Sequence, residues 1–295
     1  MPSSTSAMQA VAGDTIELID GDARSAVSVV PARGAIVTRF RIGDREVLYL
    51  DEETLRDPAK NVRGGIPVLF PSPGRLTDDR FVHAGRSGAM KQHGFARELP
   101  WETRSVEVTD AARATLMLRA TDATRAAYPY DFSMAITFSL AGATLRLDVD
   151  VENTGAEPLP FAFGLHPYFL VPDAGKASVR IATRATRAFD NVEKKTVPFH
   201  GFDLTAKEVD LHLVDHGSTD SELAWGDGAR VAIRASSELT RWVVWTLRGR
   251  DFVCVEPWTA PADALNTGES LIELAPGARR ALWVELAYIA PSAAT

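Results

Sequence analysis

The sequence predicts an all-β protein assembled from large antiparallel sheets. Apolar residues recur at every second position over long stretches, which is the periodicity of a strand with one buried face. Clusters of Gly, Asn, Asp and Pro separate these stretches at the spacing expected of hairpins. Helical periodicity is scarce by comparison. Together these observations favour a β-sandwich or a related large antiparallel architecture.

The first half of the chain contributes one short helix and a clear hairpin. The segment "LDEETLRDPAK", residues 50–60, is compatible with a short helix that ends before Pro58. In residues 132–153, apolar side chains alternate with polar ones on both sides of Gly142, which predicts two paired strands. Residues 113–122 show the same alternation and are expected to form a further strand.

The second half is also strand-rich but contains one ambiguous segment. Thr205 and Glu208 resemble a helical capping box, whereas the apolar residues that follow them alternate as in a strand. The pattern therefore leaves residues 205–215 open between helix and strand. Strands are expected in residues 230–236, 241–256 and 279–289.

The chain shows no long linker, low-complexity segment or internal repeat. Residues 13–295 are therefore interpreted as a single β domain, because all-β folds often reach this length as one unit. Residues 1–12 are expected to form a disordered N-terminal tail.

Composition narrows the possible partners and compartments. The net charge of −7 disfavours nucleic acid, which is bound through clustered basic residues. The single cysteine rules out an internal disulfide and fits a reducing compartment. Neither a signal peptide nor an apolar stretch of membrane-spanning length is recognisable. A cytoplasmic protein that does not bind membranes is expected, and nothing indicates an oligomeric state.

His166 stands in the apolar motif "GLHPYFL". Because Pro167 disfavours the helical region at the preceding residue, His166 is expected to be extended and restricted. One interpretation is a core histidine that is hydrogen-bonded to the backbone. The other is a proton donor presented in a pocket beside Tyr168, since imidazole titrates near neutral pH.

Glu256 is the second unusual residue, in the motif "CVEPW". It continues the strand face of Phe252 and Cys254, and a carboxylate on a buried strand is costly unless it is paired. The alternative is an edge position from which Glu256 simply reaches water. We expect that His166 and Glu256 meet in space as an acid and base pair.

Two loops rich in Gly and Pro carry further polar groups. Arg63 and Arg75 lie in the first, and His93 and Arg97 lie in the second. Loops on a rigid sandwich are a usual location for binding residues, and a guanidinium there suits hydroxyls or a phosphate. The alternative is surface ion pairing with acidic neighbours, which is the preferred interpretation for Arg75.

Other patterns argue against a metal or a nucleotide cofactor. His212 and His216 are spaced like metal ligands on a helix, but their segment is not clearly helical and lacks a third ligand. Phosphate-binding and dinucleotide-binding glycine motifs are absent from the sequence. Cys254 has no basic neighbour that would activate its thiol, so a buried apolar role is expected. No metal and no cofactor are predicted.

Five motifs occur along the chain in the order "RGGIPVLFP", "KQHGFAR", "GLHPYF", "CVEPW" and "ALNTGESLIELAPGA". Together they resemble the motifs of the aldose 1-epimerase (mutarotase) family, and in particular its branch of glucose-6-phosphate 1-epimerases. The resemblance extends over residues 35–286. It implies a galactose-mutarotase-like supersandwich and the interconversion of α and β anomers of a hexose or hexose 6-phosphate without a cofactor.

The resemblance also implies roles for individual residues. His166 matches the general acid and Glu256 the general base, and His93 matches a histidine that helps to hold the ring-oxygen side of the sugar. Ring opening takes a proton from the anomeric hydroxyl and gives one to the ring oxygen. An ionised Glu256 and a protonated His166 would do both.

Three further positions are implied to bind substrate. Asp190 corresponds to an aspartate that binds sugar hydroxyls, and Arg63 and Arg97 correspond to sugar or phosphate ligands. Tyr168, Trp101 and Trp258 are candidates for the walls of the pocket. A non-catalytic carbohydrate-binding or sensor domain remains an alternative, because a fold does not fix a function. A polysaccharide lyase or hydrolase is less compatible, since hydrolysis requires two flanking carboxylates.

Overall fold

The structure, a computed structural model, describes residues 8–291. Within these residues, three short α-helices lie among 25 strands, together with a few 3₁₀ turns. The helices are α1 Glu52–Arg56, α2 Asp122–Ala127 and α3 Ala264–Thr267. The strands are β1 Met8–Val11, β2 Ile16–Asp20, β3 Ser25–Val30, β4 Ile36–Ile42, β5 Arg45–Glu46, β6 Val68–Leu69, β7 Arg80–His83, β8 Arg86–Ala89, β9 Glu102–Val108, β10 Ala112–Arg119, β11 Phe132–Ala141, β12 Thr144–Asn153, β13 Leu159–Phe161, β14 Gly164–Leu165, β15 Tyr168–Leu170, β16 Arg180–Ile181, β17 Arg187–Asp190, β18 Lys195–Pro198, β19 Glu208–Leu213, β20 Asp220–Ala224, β21 Arg230–Ala235, β22 Arg241–Leu247, β23 Phe252–Trp258, β24 Ile272–Leu274 and β25 Arg279–Ile289.

Three antiparallel sheets organise the chain. Sheet I is a five-stranded meander with the order β1-β2-β3-β4-β5. Sheet II has eight strands in the order β16-β20-β21-β25-β12-β11-β10-β9. Sheet III also has eight strands, in the order β18-β17-β19-β22-β23-β14-β6 with β15 paired to β23. The pairs β7-β8 and β13-β24 form small additional ribbons.

A common hydrophobic core lies against sheets II and III. Phe138 of β11 and Val253 and Val255 of β23 belong to the same buried cluster. Because side chains alternate along a strand, Cys254, Glu256 and Trp258 of β23 project from the face opposite to that of Val253 and Val255. Glu256 therefore projects from the face of sheet III that is turned away from this core.

The prediction of an all-β, antiparallel protein is confirmed. The predicted hairpin is present, with β11 and β12 paired from Phe132–Asn153 to Ala141–Thr144. Helix α1 also forms as expected, because the side chain of Asp51 caps it by accepting from the N–H groups of Glu53 and Thr54. The ambiguous segment resolves as strand β19 over Glu208–Leu213. Leu213 lies in the hydrophobic core and Leu211 packs against it.

Two expectations need correction. Residues 8–11 form strand β1 paired with β2, so this part of the expected tail is ordered by sheet hydrogen bonds, whereas residues 1–7 lie outside the described residues. The strand expected over residues 113–122 ends at Arg119. Thr121 then starts helix α2 through a capping box with Thr124, a signal that the alternation concealed.

Within residues 8–291, none of the helices combines the length and the apolar character that crossing a membrane requires.

Candidate active site

Neighbouring strands of sheet III direct side chains into one cavity of about 410 Å³. Cross-strand register places His212 of β19 opposite Val243 of β22, and Val243 opposite Glu256 of β23. Directly opposed residues share a face of the sheet, so these three side chains project to the same side. The cavity is lined by Asn61, Val62, Arg63, Gly74, Arg75, Gln92, His93, Arg97, His166, Tyr168, Asn191, Lys194, Glu208, Asp210, His212, Val243, Trp245, Glu256, Trp258 and Ala262.

The imidazole of His166 meets the carboxylate of Glu256 in this cavity. Nε2 of His166 lies 3.4 Å from Oε1 of Glu256. His166 is held between β14 and β15, where its backbone N–H donates to the carbonyl of Pro67. The indole Nε1–H of Trp258 donates to Oε2 of Glu256 over 3.2 Å, which leaves Oε1 free to face the imidazole. The side chains of Glu256 and His166 are 1% and 7% exposed.

Burial determines the protonation of this pair. Desolvation raises the pKa of Glu256 well above its ordinary value, with a further contribution from the negative charge of Asp210. Desolvation also lowers the pKa of His166 well below its ordinary value, and the nearby His93 and Arg97 act in the same direction. Burial therefore favours the neutral acid and the neutral imidazole over the ion pair expected from the sequence. Both forms carry one proton and differ by its transfer along the 3.4 Å contact.

His93 is held as a neutral imidazole next to the pair. Its ring centroid lies 5.5 Å from that of His166, and its Nδ1–H donates to the carbonyl of Pro73. Desolvation and the positive charge of Arg97 lower the pKa of His93 to about 3. With Nδ1 bound to a carbonyl, the tautomer is fixed and Nε2 carries a lone pair. His93 is therefore a hydrogen-bond acceptor for a ligand hydroxyl.

The backbone at His93 is itself unusual, with a φ of +73°. Few residues other than glycine adopt this region of backbone conformation. Such a conformation persists only where contacts with the surrounding structure hold the backbone in place. The next residue, Gly94, also has a positive φ of +67° and lies against the backbone of Phe70. This close approach fixes the loop that presents His93 to the cavity.

Two of the three arginines that line the cavity, Arg63 and Arg97, form no ion pair with a described residue. Arg97 is half-buried and donates from Nη2 to the carbonyl of Gln92, while its Nε has no partner among the described residues. Arg63 is exposed at the cavity rim, where its backbone groups bond to Asp51 and Thr54. These cations therefore remain available to an anionic ligand. Arg75 also reaches the rim, but it pairs with Asp79 at 3.2 Å.

Aromatic rings complete the walls. Tyr168 stacks on His166 with ring centroids 4.6 Å apart and an interplanar angle of 10°. Trp258 contacts the rings of His93 and His212 edge to face. Trp101 was also a candidate for the wall, but it lies in the hydrophobic core and its indole donates to a backbone carbonyl.

Comparison with known proteins identifies the family. A sequence model described as aldose 1-epimerase matches residues 14–287, which is most of the chain. The chain belongs to the aldose 1-epimerase family. Two curated relatives carry the provisional name glucose-6-phosphate 1-epimerase: a Salmonella typhimurium protein, 29% identical over 181 residues, and an Escherichia coli K12 protein, 33% identical over 171 residues. These matches cover 61% and 56% of this chain, and the chain spans 56% and 52% of the length of the two relatives.

Solved structures show that the fold is galactose-mutarotase-like, as the sequence resemblance implies. The Slr1438 protein of Synechocystis sp. PCC 6803 superposes with a TM-score of 0.90 at 35% identity, covering 98% of this chain and 99% of that one. A galactose mutarotase-like protein from Lactobacillus casei gives a TM-score of 0.73 at 18% identity, with 96% and 100% covered. This second likeness shows the fold alone.

Six site residues were inferred from the sequence of this aldose 1-epimerase family member. Five of them lie around the cavity: His166, Glu256, His93, Arg97 and Arg63. Asp190 is not part of the lining. Its Oδ1 instead accepts from the backbone N–H groups of Val192 and Glu193, so this carboxylate shapes the turn between β17 and β18.

Besides Glu256 and Glu208, the cavity lining contains the carboxylate of Asp210, which was not inferred from the sequence. Its Oδ2 accepts from Asn191 over 2.6 Å, and Nε2 of His212 lies 3.4 Å from its Oδ1. Burial alone would raise the pKa of Asp210, but hydrogen bonds from His212 and Asn191 outweigh it and the pKa is lowered. Asp210 and His212 alternate with Val209 and Leu211. Treating residues 205–215 as a strand would have placed both polar side chains on one face.

Proposed function

We propose that this protein is an isomerase that interconverts the α and β anomers of a hexose or hexose 6-phosphate by general acid–base catalysis. The observation that carries the proposal is the 3.4 Å contact between Nε2 of His166 and Oε1 of Glu256 in a cavity of about 410 Å³. Membership of the aldose 1-epimerase family supports the reaction class.

The geometry suits ring opening. The anomeric hydroxyl and the ring oxygen of a pyranose are bonded to the same carbon, so an acid and a base that act on them must stand side by side. Glu256 as a carboxylate takes the proton of the anomeric hydroxyl while His166 as an imidazolium protonates the ring oxygen. Rotation next to the free aldehyde exposes its other face. Reversed proton transfers then close the ring as the other anomer.

The bond between the anomeric carbon and the ring oxygen breaks and forms again as the protons move, with no net oxidation or reduction, so the proposed reaction requires no cofactor. The pair returns to its single shared proton after each turnover, and the 3.4 Å contact allows that proton to reach either side before the sugar binds. Each positioned group is expected to contribute about 10²–10⁴-fold.

The other residues of the cavity orient the sugar. Asp210 accepts hydrogen bonds from hydroxyls at the end of the cavity formed by β19, and the lone pair on Nε2 of His93 accepts another. Arg63 and Arg97 are free to bind a 6-phosphate, whose charge and geometry match a guanidinium. The names of the two curated relatives support a phosphorylated hexose as a substrate.

The proposed activity is tested by following anomer exchange by NMR with glucose, galactose and glucose 6-phosphate. Glu256→Gln and His166→Asn are expected to reduce kcat by about 10²–10⁴-fold each, because each removes one proton-transfer group. His200→Asn, an exposed histidine outside the cavity lining, is the matched control and should retain the wild-type rate. Anomer exchange at the wild-type rate in both site variants would refute the proposal and favour a carbohydrate-binding domain.

A further inference from the structure

Cys254 lies next to the proposed acid–base pair and takes no part in the proposed reaction. One ligand atom from each of His166, Cys254 and Glu256 lies within 4.8 Å of the other two, and all three residues are buried. We infer that these three side chains form a binding site for a thiophilic divalent metal ion, such as Zn²⁺, which blocks the pair when bound.

The strand geometry creates this cluster. Cys254 and Glu256 are two positions apart on β23, so their side chains project to the same face of sheet III. Tyr168 is the cross-strand partner of Cys254 and stacks on His166, which brings the imidazole over the thiol side of the strand. Trp258 holds Oε2 of Glu256 and orients Oε1 toward the imidazole. Such supporting hydrogen bonds are typical of metal ligands.

The spacing fits tetrahedral zinc. Bonds of about 2.0–2.3 Å place neighbouring tetrahedral ligands about 3.3–3.8 Å apart. The 3.4 Å between Nε2 of His166 and Oε1 of Glu256 already falls in this range. The other pairs are within 4.8 Å, so a shift of about 1 Å closes the site.

The donor set selects the kind of metal. One thiolate, one imidazole and one carboxylate favour Zn²⁺ or Co²⁺ over Mg²⁺ and Ca²⁺, which prefer oxygen ligands alone. His166 and Glu256 face the cavity, so water can supply a fourth ligand from that side. Binding releases two protons to solvent: the thiol proton of Cys254 and the proton that His166 and Glu256 share, because each ligand atom must be deprotonated to coordinate the ion. It also occupies the lone pairs that the proton transfers need.

The expected inhibition rests on the proposed epimerase function, but metal binding itself does not. Co²⁺ titration of the complete chain separates the two. The protein has one cysteine, so a thiolate-to-Co²⁺ charge-transfer band can arise only from Cys254. We expect this band at one Co²⁺ per chain and its loss when Zn²⁺ is added. Binding of Co²⁺ without the band would overturn the proposed site, whether or not the protein is an epimerase.

A substitution that spares the acid–base pair provides the second test. Cys254→Ala should retain anomer exchange but lose the band and require at least about 10-fold more Zn²⁺ for half-inhibition, since loss of even a supporting contact weakens metal binding that much. The matched control is His83→Asn, which removes another His–carboxylate pair, with Nε2 of His83 2.6 Å from Oε1 of Glu273. Wild-type Zn²⁺ sensitivity is expected there. Equal sensitivity of Cys254→Ala and the wild type would overturn the inference.

Discussion

At the scale of single residues, the site depends on a shared proton. A buried carboxylic acid and a buried imidazole both avoid charge, so desolvation moves the pKa values of Glu256 and His166 in opposite directions. The singly protonated pair is therefore the stable form over a wide pH range. Coupled groups of this kind titrate as a pair, and the pH dependence of the rate reports the pair rather than either residue.

The pH dependence of kcat/KM follows from these directions. On the acid side, activity should fall only well below pH 6.5, where His166 gains a proton despite its lowered pKa and the pair then holds two. On the alkaline side, activity should persist well above pH 4.5. It should fall only where Glu256 loses its proton despite its raised pKa, because the pair then holds no proton. This bell-shaped dependence of kcat/KM on pH is tested by measuring anomer exchange by NMR over a range of pH values. A loss of activity on the acid side that begins at or above pH 6.5 would contradict the lowered pKa assigned to His166.

The two aspartates of this region provide a matched comparison. Asp210→Asn should raise KM for a hexose about 10-fold or more, because a hydrogen bond to a charged group contributes about 1.5–3 kcal/mol. Asp190→Asn should leave KM close to the wild-type value, because Asp190 binds the turn at Val192 and Glu193 outside the cavity lining. Anomer-exchange kinetics of both variants are the measurement. A larger effect from Asp190 would favour the position implied by the sequence resemblance.

At the scale of elements, alternation predicted the strands well because each has one face in a core. It identified β11 and β12 and the unusual carboxylate of β23 before any pairing was known. It did not predict which strands become neighbours. Asp210 enters the site only because β19 pairs with β22, and this register depends on contacts between segments that are distant in sequence.

The loop conformation at Gly94 was also not predictable from the motif "KQHGFAR". Gly94→Ala places a Cβ about 2.2 Å from the carbonyl oxygen of Phe70 at a φ of +67°. Gly142→Ala has a similar φ of +57° but nothing within 4 Å, so it isolates the conformational cost. We expect about 1 kcal/mol of lost stability for Gly142→Ala and clearly more for Gly94→Ala. Urea unfolding of both variants checks this, and equal losses would argue against the close contact.

At the scale of the whole molecule, the sheets act as a frame on which separate segments meet. The cavity takes groups from the loop at residues 61–63, the loop at 91–97, the β14–β15 junction and three strands of sheet III. Four of the five family motifs contribute lining residues, which made most of this convergence predictable, whereas "ALNTGESLIELAPGA" contributes none. The local charge was less predictable: the chain has a net charge of −7, yet this cavity is lined by two arginines that form no ion pair with a described residue.

The substrate preference is expected to depend on these arginines. Arg97→Ala and Arg63→Ala should each lower kcat/KM for glucose 6-phosphate about 10-fold or more relative to glucose, because a charge-assisted hydrogen bond contributes about 1.5–3 kcal/mol. Arg75→Ala is the control: its guanidinium is already paired with Asp79, so its ratio of rates for the two sugars should stay near that of the wild type. Competing anomer-exchange assays with both sugars give this ratio directly. An unchanged ratio in Arg63→Ala and Arg97→Ala would place the phosphate elsewhere or show that a neutral hexose is the substrate, while leaving the roles of His166 and Glu256 intact.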